Sequence, residues 1–145
     1  MKPSSRTAEG QITLIDTSAA VAFIVSDHAA HASTWAALAD RTLGMSGHAW
    51  FETFSVLTRL PGPSRRDART VSRLISSNFP ESRFLDEQST ASLTANLAES
   101  GISGGAVYDA LVAAAAVHHA LPLVSRDRRA LDTYRSIGLD VEFLT

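Results

Sequence analysis

The sequence predicts an α/β fold, in which helices form a sandwich around a small and mostly parallel sheet. Short aliphatic runs of about four residues alternate along the chain with longer segments of helical periodicity. The length of 145 residues is typical of one domain. A hydrophobic fraction of 45% with 19% charged residues is enough to form a core, which excludes disorder throughout the chain.

Four aliphatic runs are predicted to be strands, and a fifth run is a weaker candidate. The first strand, Ile12–Ile15, is rich in β-branched residues and ends at Asp16. The others lie at Thr42–Met45, 121–124 and 141–144, with the weak candidate at 83–85. Strands this short predict a small sheet that helices cover.

Seven segments between these runs are predicted to be helices. Thr17 or Ser18 can cap the first, and Ser46 or Gly47 opens the third. The third helix has an apolar face at i, i+4, i+7 spacing and ends at Pro61. The first helix ends near residue 25, and the others are predicted over 31–39, 67–76, 89–99, 105–120 and 127–137.

The composition excludes several classes of chemistry. The chain has no cysteine, which removes disulfide scaffolds, zinc–thiolate sites, iron–sulfur clusters and thiol nucleophiles. Lys2 is the only lysine and lies near the N-terminus, which argues against P-loop, Schiff-base and Ser–Lys chemistry. The net charge of −2 is unlike that of a generally basic nucleic-acid coat.

One domain is expected over residues 12–145, after a polar and flexible leader over residues 1–11. The two longest apolar runs are interrupted by acidic residues, so neither is predicted to span a membrane. The leader lacks the charged and then apolar regions of a signal peptide. We therefore expect a cytoplasmic protein without a membrane partner.

Four acidic residues are distinguished by their positions. Asp16 directly follows the first strand, and Asp127 comes three residues after the strand at 121–124, where ligands bind in parallel sheets. Glu52 and Asp109 lie within apolar helix faces, where an unpaired carboxylate is costly. Four carboxylates at one sheet edge would repel one another, and a hard divalent cation such as Mg²⁺ or Mn²⁺ would relieve that repulsion.

Each of these acids also has a purely structural alternative. Asp16 and Asp127 could cap the helices that follow them, and Asp109 could stabilise the positive end of a helix dipole. Glu52 could form an ion pair with Arg59 of the same helix. It is the joint placement of the four acids that favours a metal-binding centre.

The four acids lie in four short segments, in a fixed order and with spacings of 36, 57 and 18 residues. The segments are Leu-Ile-Asp-Thr-Ser-Ala at 14–19, Glu-Thr-Phe-Ser-Val-Leu-Thr-Arg-Leu-Pro at 52–61, Tyr-Asp-Ala-Leu-Val-Ala-Ala-Ala at 108–115 and Leu-Val-Ser-Arg-Asp at 123–127. Together they resemble the signatures of the PIN-domain family, and more narrowly those of VapC-type toxins from bacterial toxin–antitoxin pairs. The resemblance covers nearly the whole chain after the leader.

This resemblance implies a three-layer α/β/α sandwich and an endoribonuclease that depends on Mg²⁺ or Mn²⁺. Ser18 and Ser125 match small hydroxyl positions of the family and would orient carboxylates or metal-bound water. A metal-activated water would hydrolyse the RNA phosphodiester bond without a histidine acid–base pair. The catalytic, metal-binding centre would consist of Asp16, Glu52, Asp109 and Asp127.

The resemblance also implies partners for this protein. VapC-like proteins form homodimers, and a VapB-type antitoxin silences them by covering the acidic groove with its C-terminal tail. Five arginines within residues 59–73 form a candidate rim for RNA phosphates. Arg126, Arg128 and Arg129 flank Asp127 and could contact either phosphates or the acids themselves.

Other functional classes stay open at this point. A PIN fold could serve as a non-catalytic RNA- or protein-binding module, although all four acids are present. A receiver domain or a haloacid-dehalogenase-type phosphatase would need a placed lysine, which this sequence lacks. The same metal chemistry could act on DNA, since nothing in the sequence reports recognition of a 2′-hydroxyl.

Overall fold

The computed structural model describes residues 11–145, and four strands in this range form one parallel sheet. Across the sheet the strands follow the order β2-β1-β3-β4, so β1 and β3 are the central pair. Of the predicted leader, all but Gln11 lies outside the described residues. The strands are β1 (Ile12–Ile15), β2 (Thr42–Met45), β3 (Leu123–Ser125) and β4 (Val141–Phe143).

Seven α-helices connect these strands within residues 11–145, and none of them is long and apolar enough to cross a membrane. They are α1 (Thr17–Ile24), α2 (His31–Leu38), α3 (Ala49–Thr58), α4 (Ala68–Asn78), α5 (Glu87–Glu99), α6 (Ala106–His118) and α7 (Leu131–Ser136). Helix α1 packs on α2 and α3, whereas α6 packs on α5 and α7. The predicted α/β/α sandwich is confirmed.

The hydrophobic core lies between the sheet and its helices. Leu14, Ile15 and Val124 of the central strands have no exposed surface. Burial of one such side chain stabilises the fold by about 1.5–3 kcal/mol. Ala19 and Ala20 of α1 are also fully buried, and their small side chains let this helix lie close to β1 and β3. The core therefore fixes α1, and with it the residues at the end of β1.

The weak fifth strand predicted at 83–85 is wrong. Only isolated bridges link this region to β2 and to the residue that follows it. The Met45 N–H donates to the side-chain Oγ of Ser82 at 2.8 Å, so a hydroxyl takes the place of a backbone carbonyl. The Glu81 and Arg83 N–H groups still donate to the Leu43 and Met45 carbonyls, both at 3.1 Å, so the segment lies along the edge of β2. The hydroxyl interrupts this ladder, and no regular strand forms.

Helix starts also differ from the sequence prediction. Asp16 caps α1, in place of Thr17 or Ser18, because its carboxylate accepts a backbone hydrogen bond of the first turn. Helix α5 begins two residues earlier than predicted, with Asp86 as its cap. The helix predicted over 127–137 is a short 3₁₀ turn followed by α7. Aspartate is a strong N-cap residue, which explains the first two differences.

Candidate active site

The carboxyl ends of the central strands bring the first and last predicted acids to one edge of the sheet. Asp16 follows β1 directly, and Asp127 comes two residues after the end of β3. Since β1 and β3 are parallel neighbours, their ends lie at the same edge, where open α/β sheets bind ligands. Asp16 is only 3% exposed, whereas the side chain of Asp127 is 28% exposed.

Asp16 is held by four hydrogen bonds that use both of its carboxylate oxygens. The Ser18 hydroxyl at 2.6 Å and the Ala19 N–H at 3.1 Å donate to Oδ1. The Ser125 hydroxyl at 2.5 Å and the Tyr134 hydroxyl at 2.7 Å donate to Oδ2. Burial raises the pKa of Asp16 above its usual value, and these four hydrogen bonds oppose that rise.

The two predicted serines donate to different oxygens of the Asp16 carboxylate. Ser18 Oγ also accepts the Arg126 N–H at 2.8 Å, and Ser125 Oγ accepts the Asp127 N–H at 3.0 Å. Each serine therefore donates to Asp16 and accepts from the backbone that follows β3. These contacts tie the first acid to the segment that carries the last acid.

Glu52 is exposed on α3, which corrects the prediction of a carboxylate within a buried apolar face. The apolar residues around Glu52 predicted a buried helix face, but the neighbouring Phe51 is itself 62% exposed. The predicted alternative of an ion pair with Arg59 is not among the ion pairs of residues 11–145. The next residue, Thr53, is buried and donates to the Thr17 hydroxyl at 3.2 Å, which fixes α3 against α1.

Asp109 lies in the first turn of α6, half-buried and without a hydrogen bond or an ion pair to the rest of the described chain. Burial raises its pKa, and the negative charges of Asp127, Glu52 and Asp16 raise it further. Arg129 opposes these effects. The structure thus places all four predicted acids near enough for the charges of the other three to act on Asp109.

The connection between β2 and α3 holds α6, and with it Asp109, against the end of β2. Ser46, directly after β2, donates from its hydroxyl to the Val112 carbonyl at 2.7 Å. Gly47 has a φ of +54°, and a Cβ at this position would lie 3.0 Å from the Cβ of Ala115. Glycine is required here because the backbone is left-handed and α6 passes so close.

One of the three arginines that flank Asp127 contacts an acid of the site. Arg129 Nε lies 3.4 Å from Asp127 Oδ1, and its side chain is 92% exposed. Arg126 donates to the carbonyl of the C-terminal residue, and Arg128 lies 4.8 Å from the centre of an aromatic ring of β4. Contact of the arginines within 59–73 with RNA stays a prediction.

Tyr134 is a site residue that sequence reasoning missed. It lies on α7, is 2% exposed and donates to Asp16. One signal could have found it, since it follows Asp127 by seven residues within a predicted helix. In the continuous helix predicted there, that spacing is two turns and would put both residues on the same side.

The predicted ligands fit a hard divalent cation by their chemistry, although they do not form a preorganised coordination site. All four predicted ligands are carboxylates, which Mg²⁺ and Mn²⁺ prefer. Within residues 11–145, no group of three or more His, Asp or Glu side chains is close enough to hold an ion. Mg²⁺ usually keeps several waters and binds through one or two carboxylates, so an ion bound here would be partly hydrated.

Comparison with known proteins identifies the family. A family model described as the PIN domain matches residues 13–136. The chain belongs to the PIN-domain family. This PIN-domain chain is 46% identical over 127 residues to "Ribonuclease VapC27" from Mycobacterium tuberculosis, covering 88% of this chain and 93% of that protein. It is 40% identical over 134 residues to "Ribonuclease VapC40" from the same species, covering 90% of this chain and 97% of that protein.

Two solved structures share the fold of this PIN domain. One is VapBC2 from Rickettsia felis bound to a DNA fragment from their promoter, with a TM-score of 0.65 and 17% identity. The match covers 93% of this chain and 100% of that chain. The other is PAE2754 from Pyrobaculum aerophilum, with a TM-score of 0.54, 25% identity and 90% of each chain covered. The resemblance to VapC-type PIN domains stated from the sequence is confirmed.

Proposed function

We propose that this PIN domain is an endoribonuclease of the VapC type, the toxin of a toxin–antitoxin pair, and that Mg²⁺ or Mn²⁺ is its cofactor. One observation carries the proposal: Asp16 and Asp127 follow the two central strands at one edge of the sheet, near enough to Asp109 for their negative charges to raise its pKa. Such mutual repulsion at the edge of a parallel sheet favours a bound cation. The relatives named ribonucleases, at 46% and 40% identity over most of this chain, support RNA as the substrate.

In this proposal Asp16 and Asp109 have different tasks. A bound divalent ion lowers the pKa of a water molecule and neutralises charge on the reacting phosphate. Asp16 is held in one orientation by Ser18 and Ser125, so it offers a fixed ligand. Asp109 makes no hydrogen bond or ion pair within residues 11–145, so its carboxylate is available to the ion. The exposed guanidinium of Arg129, beside the acids, is placed to contact a substrate phosphate.

Two protein partners belong to the proposal. A VapB-type antitoxin fits the acidic centre, because an arginine from its tail would pair with these carboxylates. A second copy of the chain would cover the exposed rings of Phe51 and Phe84, whose centroids lie 6.4 Å apart. Both partners and the RNA substrate are consistent with the cytoplasmic location expected from the sequence.

The experiment that tests the proposed activity is cleavage of total RNA by the wild type and by Asp109→Asn, with Mg²⁺, Mn²⁺ or EDTA. We expect metal-dependent cleavage by the wild type and a loss of about 100-fold or more in the variant. Asp67→Asn is the matched control, since Asp67 is an exposed carboxylate that caps α4. Cleavage that persists in EDTA, or at equal rates in wild type and Asp109→Asn, would contradict the proposal.

A non-catalytic RNA-binding module is the second candidate. It is favoured by one observation, that no three acids of the described chain are grouped closely enough to enclose an ion. In that case the wild type would bind RNA equally well in Mn²⁺ and in EDTA, and would cut none of it. A gel-shift measurement on the same samples separates the two candidates.

A further inference from the structure

Asp16 is the most heavily hydrogen-bonded of the four acids. Asp16 accepts four hydrogen bonds, two on each carboxylate oxygen. Three of the donors, Ser18, Ala19 and Ser125, belong to the strand ends and to the first turn of α1. The fourth donor, Tyr134, comes from α7, which follows the last acid in the chain.

The four donors differ in how they are anchored. The Ala19 N–H is part of α1, and each serine hydroxyl is fixed by a second hydrogen bond from a backbone N–H. The Tyr134 hydroxyl makes one hydrogen bond within the described chain, to Asp16 Oδ2 at 2.7 Å. Its ring is 2% exposed, so packing of α7 against the core sets the position of the hydroxyl.

We infer that Tyr134 is a positioning residue, whose hydroxyl holds the Asp16 carboxylate in the orientation that binds the divalent cation. The inference rests on the proposed function. Hydrogen bonds to a ligating carboxylate orient it, and their loss typically costs about 10–100-fold in metal affinity. A buried carboxylate without such bonds is also harder to keep ionised. Tyr134 supplies one of these bonds through a rigid ring with a single polar atom.

Tyr134 also links the two strand-end acids. Helix α7 begins four residues after Asp127 and is joined to it by the 3₁₀ turn Arg128–Ala130. Asp127 accepts the Arg129 N–H at 3.0 Å and so caps this turn. The turn that Asp127 caps therefore leads directly into the helix whose tyrosine donates to Asp16.

The test compares Mn²⁺ binding by the wild type and by Tyr134→Phe, using titration calorimetry and the electron paramagnetic resonance signal of free Mn²⁺. The substitution removes the hydroxyl and keeps the ring. We expect the Kd for Mn²⁺ to rise about 10-fold or more. RNA cleavage by the variant should be reduced at low Mn²⁺ and should recover as the Mn²⁺ concentration is raised.

Tyr108→Phe is the matched control, because it removes the same hydroxyl from an exposed tyrosine next to Asp109 that donates to no acid in the described chain. Its Kd for Mn²⁺ should equal that of the wild type. Melting curves in EDTA show whether each variant is folded, and Tyr134→Leu provides a second variant without the hydroxyl. A folded Tyr134 variant with the wild-type Kd overturns the inference alone. A wild type that neither binds Mn²⁺ nor cuts RNA overturns the proposed function as well.

Discussion

Asp16 and Asp67 perform the same local task in very different surroundings. Each caps a helix, Asp16 by accepting the Ala19 N–H at 3.1 Å and Asp67 by accepting the Thr70 N–H at 2.8 Å. Asp67 is exposed, and hydrogen bonds from Thr70 lower its pKa. Asp16 is 3% exposed, and burial raises its pKa. Capping is therefore common to both, and burial at the sheet edge distinguishes Asp16.

The comparison shows that the structural and functional interpretations of Asp16 are compatible. An exposed cap satisfies the helix N–H groups without removing a charge from water. Asp16 provides the same cap but requires three hydroxyl donors to offset its desolvation. Asp127 likewise caps the 3₁₀ turn that follows it and lies beside the other acids. Capping alone does not explain why Asp16 is buried close to other carboxylates. The proposed metal site explains it.

The largest expected effect is on RNA cleavage, which should depend on Asp16 and not on Asp67. Asp16→Asn should reduce RNA cleavage at saturating Mn²⁺ by about 100–1,000-fold, because it removes the charge of a proposed metal ligand. Asp67→Asn should leave cleavage unchanged, since asparagine caps helices as well as aspartate does. Initial rates on a single RNA substrate measure both. If both variants lost cleavage activity equally, the loss in Asp16→Asn would be due to impaired folding and not to a missing metal ligand.

A second effect concerns stabilisation by metal. Any ligand that binds only the folded state stabilises it, by about 2.7 kcal/mol at a concentration of 100 times its Kd. Mn²⁺ at that concentration should raise the melting temperature of the wild type and of Asp67→Asn by roughly 5–10 °C. The melting temperature of Asp16→Asn should change much less. A similar increase in all three proteins would place the bound ion elsewhere.

The third effect is a loss of stability without a loss of activity. Asp67→Ala removes the cap of α4 and should lower the melting temperature by about 2–4 °C. RNA cleavage at a temperature where the variant is folded should match that of the wild type. Differential scanning calorimetry and the cleavage assay give the two values. Reduced cleavage by the folded variant would mean that α4 contributes to the site.

The smallest effect is a difference in pH dependence between the two caps, measured in EDTA. The raised pKa of Asp16 means that the folded state binds more protons than the unfolded state just above pH 3.8. The contribution of Asp16 to the free energy of unfolding therefore falls as pH rises from about 3.8 to the folded-state pKa, and it stays low at higher pH. The lowered pKa of Asp67 acts in the opposite direction, since its stabilisation is present above pH 3.8 and is lost as pH falls through the folded pKa.

Urea unfolding between about pH 3 and pH 7 checks these signs. Asp16→Asn should remove the decrease in stability above pH 3.8 relative to the wild type. Asp67→Asn should remove part of the decrease in stability below that pH. Identical pH profiles for both variants would show that the two caps titrate alike in the folded protein.

The parts of the site that were predictable lie close to strands with a clear pattern. Asp16 follows a β-branched run, and the parallel sheet then dictates that it meets the end of β3. The failures occur where the pattern depends on distant contacts. The apolar residues beside Glu52 resemble a core face, yet Phe51 is 62% exposed. The run at 83–85 resembles a strand, but the Ser82 hydroxyl accepts the Met45 N–H, and only isolated bridges to the sheet form.

The sequence by itself determined the alternation of strands and helices, the order of the four acids and the serines beside them. These features depend on local periodicity and on the rule that parallel strands end at one edge. Only the tertiary structure decided which groups surround Asp16 and how each acid is buried. Tyr134 and Asp16 are 118 positions apart, and their hydrogen bond exists because α7 packs against the same core as β1. Burial and desolvation depend on the whole packed chain, which local patterns do not record.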